Sequence, residues 1–181
     1  MKKVLYILAE LSDRDFSWLI TAGKRLHIPV GTTLIEEGKP INAVYIILNG
    51  TFSVSTEAMG GDEIARVSSG EILGEISFVD SRPPTATVRG LENSIVWSIS
   101  RSQLSAKLLQ DANFASHFYH AIAMFLADRL RGTVSRLGYN KIDKDDPNPD
   151  DDKDLNPDFL RSLEIAQYRL DWMVHRLNDI G

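Results

Sequence analysis

The stretch Gly70-Glu71-Ile72-Leu73-Gly74-Glu75-Ile76-Ser77-Phe78-Val79-Asp80-Ser81-Arg82-Pro83-Pro84-Thr85-Ala86-Thr87-Val88 decides how this chain is read. It predicts a strand, a turn, a short helix and a second strand. Gly70 and Gly74 let the backbone turn where a side chain would be strained. Glu75 to Val79 is about one helical turn. Its unpaired N–H groups, at the positive end of the helix dipole, suit an anion. Glu75 at that entry is an acceptor-only group suited to a sugar hydroxyl. Pro83 and Pro84 fix two φ angles and deliver the chain into Thr85-Ala86-Thr87-Val88, a β-prone run. The same residues also fit a well-made turn over a β-roll with nothing bound.

The pattern continues on both sides. Upstream, Ile28-Pro29-Val30-Gly31-Thr32-Thr33-Leu34-Ile35-Glu36-Glu37-Gly38-Lys39-Pro40 reads as strand, turn, strand and loop. Val44 to Val54 reads as two strands joined by Asn49-Gly50, the strongest short hairpin signal. Downstream, Ser94-Ile95-Val96-Trp97-Ser98-Ile99-Ser100-Arg101 reads as a closing strand.

Over roughly residues 12 to 137 this arrangement resembles the cyclic nucleotide-binding domains, the effector half of the catabolite activator and fumarate-nitrate regulators. The resemblance implies an α+β fold: a β-roll or jelly roll with flanking helices, here followed by a C-terminal helical extension. It also implies cyclic AMP or cyclic GMP as ligand, and a binding set of Gly74, Glu75, Ile76, Ser77, Arg82 and Thr85. One departure stands out. Pro84 falls where the family has the Arg that pairs with the cyclic phosphate, Thr85 falls on the small residue after it, and Arg82 sits two positions early. A charge-assisted bond to phosphate contributes about 1.5–3 kcal/mol. Either Arg82 folds back to supply that bond, or tight cyclic nucleotide binding has been lost. The two missing proline donors favour the loss.

The chain of 181 residues fits one medium domain plus an appendage. It has no Cys, which excludes disulfides and thiolate metal sites and agrees with a cytoplasmic protein. A net charge of −5 argues against a general nucleic-acid binder. Lys2 and Lys3 before a short apolar run faintly resemble an export signal. Glu10 and Asp13 then stand where small residues should be, so the expectation is no export. No run approaches the length of a membrane span.

Residues 1–11 read as an apolar lead that packs on the domain. Ser12 and Asp15 form a capping-box pattern, starting a helix that runs to Gly23. A short helix is expected around Ser102–Leu109, then a long one from Ala112 to Leu137 with Asp111 as N-cap. The long helix carries Phe114, Phe118, Ile122, Phe125, Leu126, Leu130 and Leu137. That apolar face is wide enough both to close the pocket and to form a dimer seam, as the resemblance implies. Two of the four His, His117 and His120, share its surface at a metal-ligand spacing. No third ligand is placed by sequence, so metal and enzyme readings are set aside in favour of surface or interface histidines.

The domain division is 1–138 for the nucleotide-binding-like domain, 139–156 for an acidic linker and 157–181 for a terminal helix. Asp150, Asp152, Asp154, Asn156 and Asp158 mimic a calcium loop, but Leu155 and Arg161 occupy the positions needing Gly and Glu. Phe159, Leu163, Ala166, Leu170, Met173 and Leu177 form a heptad seam, with Arg161, Glu164, Arg169 and Arg176 off it. The linker and one helix leave no room for a helix-turn-helix domain, so direct DNA binding is not expected. Two apolar helical seams predict a homodimer; the other outcomes are that both seams pack within the domain's own core, the terminal helix docking back on it, or that the terminal helix binds a protein partner. Two function classes stay open: a freestanding regulatory sensor of altered ligand specificity, and a ligand-free dimerisation or interaction module.

Overall fold

The computed structural model describes residues 6–139 and 157–176. The first helix of the described residues is α1 (Tyr6–Glu10), whose Tyr6, Ile7 and Leu8 are buried. Helix α2 (Asp13–Ala22) opens with the reciprocal cap expected from the sequence. The Ser12 hydroxyl accepts from the Asp15 N–H at 3.2 Å, and the Asp15 carboxylate accepts from the Ser12 N–H at 3.0 Å.

Among the described residues eight strands then build two four-stranded antiparallel sheets. They are β1 (Gly23–Ile28), β2 (Thr33–Ile35), β3 (Ala43–Asn49), β4 (Thr51–Ser55), β5 (Glu63–Ser68), β6 (Ile72–Leu73), β7 (Thr87–Gly90) and β8 (Ser94–Ser100). Helix α3 (Glu75–Asp80) lies between β6 and β7. One sheet has the order β1-β8-β3-β6 and the other β2-β7-β4-β5. This is the α+β roll the sequence predicts.

The period-2 alternation of β3 explains how the layers assemble. Ile47 joins Ile28, Ile35, Phe52, Val67, Leu73, Val88 and Val96 in a core inside the roll. Val44, Ile46 and Leu48 belong to a second, larger core that includes residues from the helices. A strand buried on both faces carries an almost unbroken apolar run, as Val44-Tyr45-Ile46-Ile47-Leu48 does.

The Asn49-Gly50 hairpin is a correction. β3 pairs with β6 and β8, whereas β4 pairs with β5 and β7. The dipeptide is therefore a corner that passes the chain from one sheet to the other. Gly50 is needed there twice over. Its φ is +105°, and a Cβ would stand 2.1 Å from the Ser94 hydroxyl oxygen.

Helices α4 (Arg101–Gln110) and α5 (Ala112–Tyr139) follow the roll. The Asp111 carboxylate accepts from the Phe114 N–H at 3.0 Å and caps α5. Helix α6 (Pro157–Arg176) returns to the domain. Its Leu163, Ala166, Leu170 and Met173 are buried in one core with α1, α5 and the outer face of β3. Full burial of a large apolar side chain contributes about 1.5–3 kcal/mol, so this docking is a substantial part of the fold.

These contacts remove the argument for a dimer built on exposed seams. Phe118, Ile122 and Phe125 of α5, like Leu163 and Leu170 of α6, are covered within the chain itself. The sequence reading counted one β-roll as the only cover, but α1, α2 and α6 add a helical layer. Leu130, expected to face inward, is exposed. Arg169, read as off the seam, is buried and donates to the carbonyls of Leu8 and Leu11. The acidic linker, the calcium-like loop around Asp150–Asn156, Leu177 and the side chains of Leu137 and Phe159 lie outside the described residues.

Candidate functional site

A cavity of about 390 Å³ opens between the roll, α3 and the C-terminal half of α5. The β strands supply an apolar floor of Ile35, Val54, Leu73 and Val88. Gly74, Glu75, Ile76, Ser77, Pro84 and Thr85 form one wall, and Phe125, Asp128, Arg129 and Thr133 form the opposite one.

Local geometry accounts for the first wall. Gly74 sits at the N-cap of α3 with φ +84°, and a Cβ there would be 2.7 Å from Ile41 Cδ1 and 3.0 Å from the Ala43 carbonyl. Only glycine fits this close approach of α3 to β3. Ser81 ends the helix at φ +59°. Arg101, the first residue of α4, braces α3 from behind. It donates to the Ser77 carbonyl at 2.8 Å and to the Ser81 hydroxyl at 3.1 Å, and lies 5.4 Å over the Phe78 ring.

Glu75 is the chemical centre. It is only 3% exposed. Burial raises its carboxyl above the ordinary value, Arg129 pulls it back, and neighbouring Glu71 adds repulsion. The Arg129 Nη1 donates to Glu75 Oε1 at 3.1 Å, while its guanidinium lies 4.5 Å over the Phe125 ring. Glu71 is raised as well, by burial, although it accepts from the Ser68 N–H at 2.6 Å and feels Arg129. The cavity thus holds paired acceptors and a cation on a mostly apolar bed. That combination fits a polyhydroxylated ligand carrying an anionic group.

The cavity brings Gly74, Glu75, Ile76, Ser77 and Thr85 together. It does not include Arg82. The Arg82 side chain is 80% exposed and its Nε donates to Asp80 at 2.8 Å. The Asp80 carboxylate also accepts from the Arg82 N–H, a tight local turn that aims the guanidinium outward. Arg82 therefore does not fold back to fill the gap at Pro84. Sequence reasoning missed Arg129, which lies 54 residues from Glu75. A charged residue on an amphipathic helix reads as part of a solvated face, and nothing in the spacing ties it to the α3 turn.

The histidine pair has a separate role. His117 Nδ1 lies 2.7 Å from Asp15, and His120 Nδ1 lies 2.8 Å from Glu10, so each ties α5 to the N-terminal helices. Among the described residues no group of three or more His, Cys, Asp or Glu is arranged to hold a metal ion. None of the described helices is long and apolar enough to cross a membrane.

Comparison with known proteins agrees with this geometry. Residues 25–111 match the family model of the cyclic nucleotide-binding domain. An uncharacterized NTE family protein of Mycobacterium tuberculosis is 29% identical over 131 residues, which is 72% of this chain and 22% of that protein. A cAMP-dependent protein kinase regulatory subunit of Candida albicans is 30% identical over 100 residues, 55% of this chain and 21% of the subunit. The chain thus spans less than a quarter of either relative. The crystal structure of a cyclic nucleotide-binding domain from Methylobacillus flagellatus superimposes with a TM-score of 0.69 at 22% identity. That match covers 78% of this chain and 84% of the other. Sheet order, the α3 turn and the matched segment converge: the fold is that of a cyclic nucleotide-binding domain, and the family model of that domain matches residues 25–111.

Proposed function

We propose that the chain is a non-enzymatic regulatory module that senses a cyclic nucleotide in the α3–α5 cavity with altered ligand recognition. The observation that carries this reading is the buried Glu75 carboxylate facing a cavity of about 390 Å³. That volume lies within the range of small-molecule sites, about 300–1,000 Å³. Glu75 accepts a ribose hydroxyl, the apolar strand residues take the base or sugar face, and Thr85 offers a hydroxyl on the cassette wall. Pro84 in place of a phosphate-binding Arg makes the anion contact the altered part. Cyclic AMP and cyclic GMP are the ligands to try first, since relatives include a regulatory subunit of a cAMP-dependent protein kinase.

The module acts in the cytoplasm and passes its signal to a protein partner, with no direct contact to DNA or membrane. Self-association, where it occurs, uses exposed α5 residues such as Leu130 and Val134 rather than the buried seams. Titration calorimetry of the chain with cyclic AMP and cyclic GMP tests the reading. Saturable binding of either, lost in Glu75→Ala, supports it. No heat with either nucleotide overturns it in favour of the ligand-free interaction module.

A further inference from the structure

The cavity has to meet an anion without the cassette Arg, and its charges are unevenly placed. Glu71, Glu75 and Asp128 are among its lining residues, and the cations there are Arg66 and Arg129. Arg66 is held at 2.6 Å by Glu63 on its own strand, with an exposed side chain. Arg82 lies outside the cavity on Asp80. Arg129 differs from both. It reaches in from the opposite wall, is 37% exposed, and is steadied by the Phe125 ring and the Glu75 carboxylate.

We propose that Arg129 of α5 is the anion receptor of this cavity, replacing from the long helix the phosphate contact that Pro84 removes from the cassette. This rests on the sensor reading above. The bond to Glu75 uses Nη1. A guanidinium carries five N–H donors in a planar fork, so Nη2 and Nε remain for incoming oxygens. The 3.1 Å spacing of acceptor and donor also matches a ligand chemistry. A ribose hydroxyl adjacent to a phosphodiester presents one donor and one anionic oxygen side by side. Glu75 takes the first and Arg129 the second. The two protein groups bond each other, so the ion pair also links α5 to α3. A ligand that engages both groups exchanges this bond for two of its own.

The test compares cyclic AMP with adenosine, which lacks the phosphate, by calorimetry on the full chain. The wild-type chain is expected to prefer cyclic AMP. Arg129→Gln should weaken cyclic AMP by about ten- to a hundred-fold and leave adenosine unchanged or tighter. Arg129→Lys keeps the charge and loses the fork, and should fall between the two. It also serves if Arg129→Gln does not fold, which circular dichroism would report. Wild-type affinity for cyclic AMP in Arg129→Gln, or in Arg129→Lys where Gln does not fold, overturns the proposal, as does an equal loss of cyclic AMP and adenosine. A wild-type chain that binds neither cyclic AMP nor cyclic GMP instead removes the sensor reading itself, and this proposal with it.

Discussion

The guanidinium of Arg169 on α6 donates to the carbonyl of Leu11, just past the end of α1, at 2.6 Å. It also donates to the Leu8 carbonyl and to the Asp13 carboxylate at 2.7 Å. The last carbonyls of a helix have no partner of their own, and here a residue far away in sequence supplies the donors.

Arg169→Met should therefore destabilise the chain by about 3 kcal/mol, because it keeps the apolar stem but leaves two carbonyls unsatisfied. Urea denaturation followed by tryptophan fluorescence measures this. A loss under about 1 kcal/mol would show that water replaces the guanidinium without penalty.

The corner between the sheets gives a paired prediction. Gly50→Ala meets Ser94 backbone and side chain at a φ of +105°, whereas Gly38→Ala has φ +74° and nothing within 4 Å. The second should cost only left-handed strain, about 1–2 kcal/mol. The first adds steric overlap and should cost about 3 kcal/mol or more. Equal losses in the two variants would refute the packed corner.

This corner also marks where the sequence stops being legible. The capping box of Ser12 and Asp15 is local chemistry within one turn, and it forms as read. Asn49-Gly50 is equally local and correctly marks a turn. Which sheet the next strand joins depends on pairings with Val67 and Gly90, which no dipeptide encodes. The same limit applies to the site. Glu75 and the gap at Pro84 are visible in one short stretch, while Arg129 and Arg169 act across the fold and read as solvated charges. The apolar spacing of Leu163 and Leu170 shows that they need cover, but the cover, α1, is too short to register as a helix.

Asp15 and Asp111 both contribute to the acid limb of stability. Hydrogen bonds from Ser12 and His117 hold Asp15 below its ordinary 3.8, outweighing the opposing effect of burial. Lys107 and the Phe114 N–H lower Asp111 to about 2. A lowered folded value means stability that is present above pH 3.8 and lost as pH falls through the folded value. Asp111→Asn should flatten the loss between about pH 4 and pH 2, and Asp15→Asn should flatten the loss below pH 3.8. Thermal melts across that window decide. An unchanged slope in both would be contrary to the stated pairing.

Glu75 works with the opposite sign. Its folded value is raised above 4.5 by burial, so its contribution is fully present below that pH and is lost as pH rises through the folded value. At neutral pH the carboxylate is a net cost to the fold, retained at the proposed site. Glu75→Gln should melt higher than wild type at pH 7, and the difference should vanish towards pH 4. A lower melting temperature at pH 7 would mean that the Arg129 bond outweighs the burial of the charge.

Position 84 can be tested by gain and position 82 by indifference. Pro84→Arg restores a charged donor on the cassette wall and should tighten cyclic AMP by about ten-fold or more. Arg82→Ala should leave the affinity unchanged, since that side chain is turned to solvent on Asp80. Calorimetry of both variants suffices. A loss of affinity in Arg82→Ala would mean that the loop rearranges around ligand.

Helix α5 is one uninterrupted rod with different attachments along its length. Arg129 is fastened to the cavity through Glu75, and His117, about 18 Å earlier along the axis, is fastened to Asp15. Between them Phe118, Ile122 and Phe125 sit in the core as a fulcrum. A pull on Arg129 that the rod does not absorb by bending arrives as a counter-movement at Asp15 and Glu10, on the helices against which α6 rests. Under the sensor reading proposed above, occupancy of the cavity would be transmitted along this rod to the far face of the molecule, the face a partner would meet.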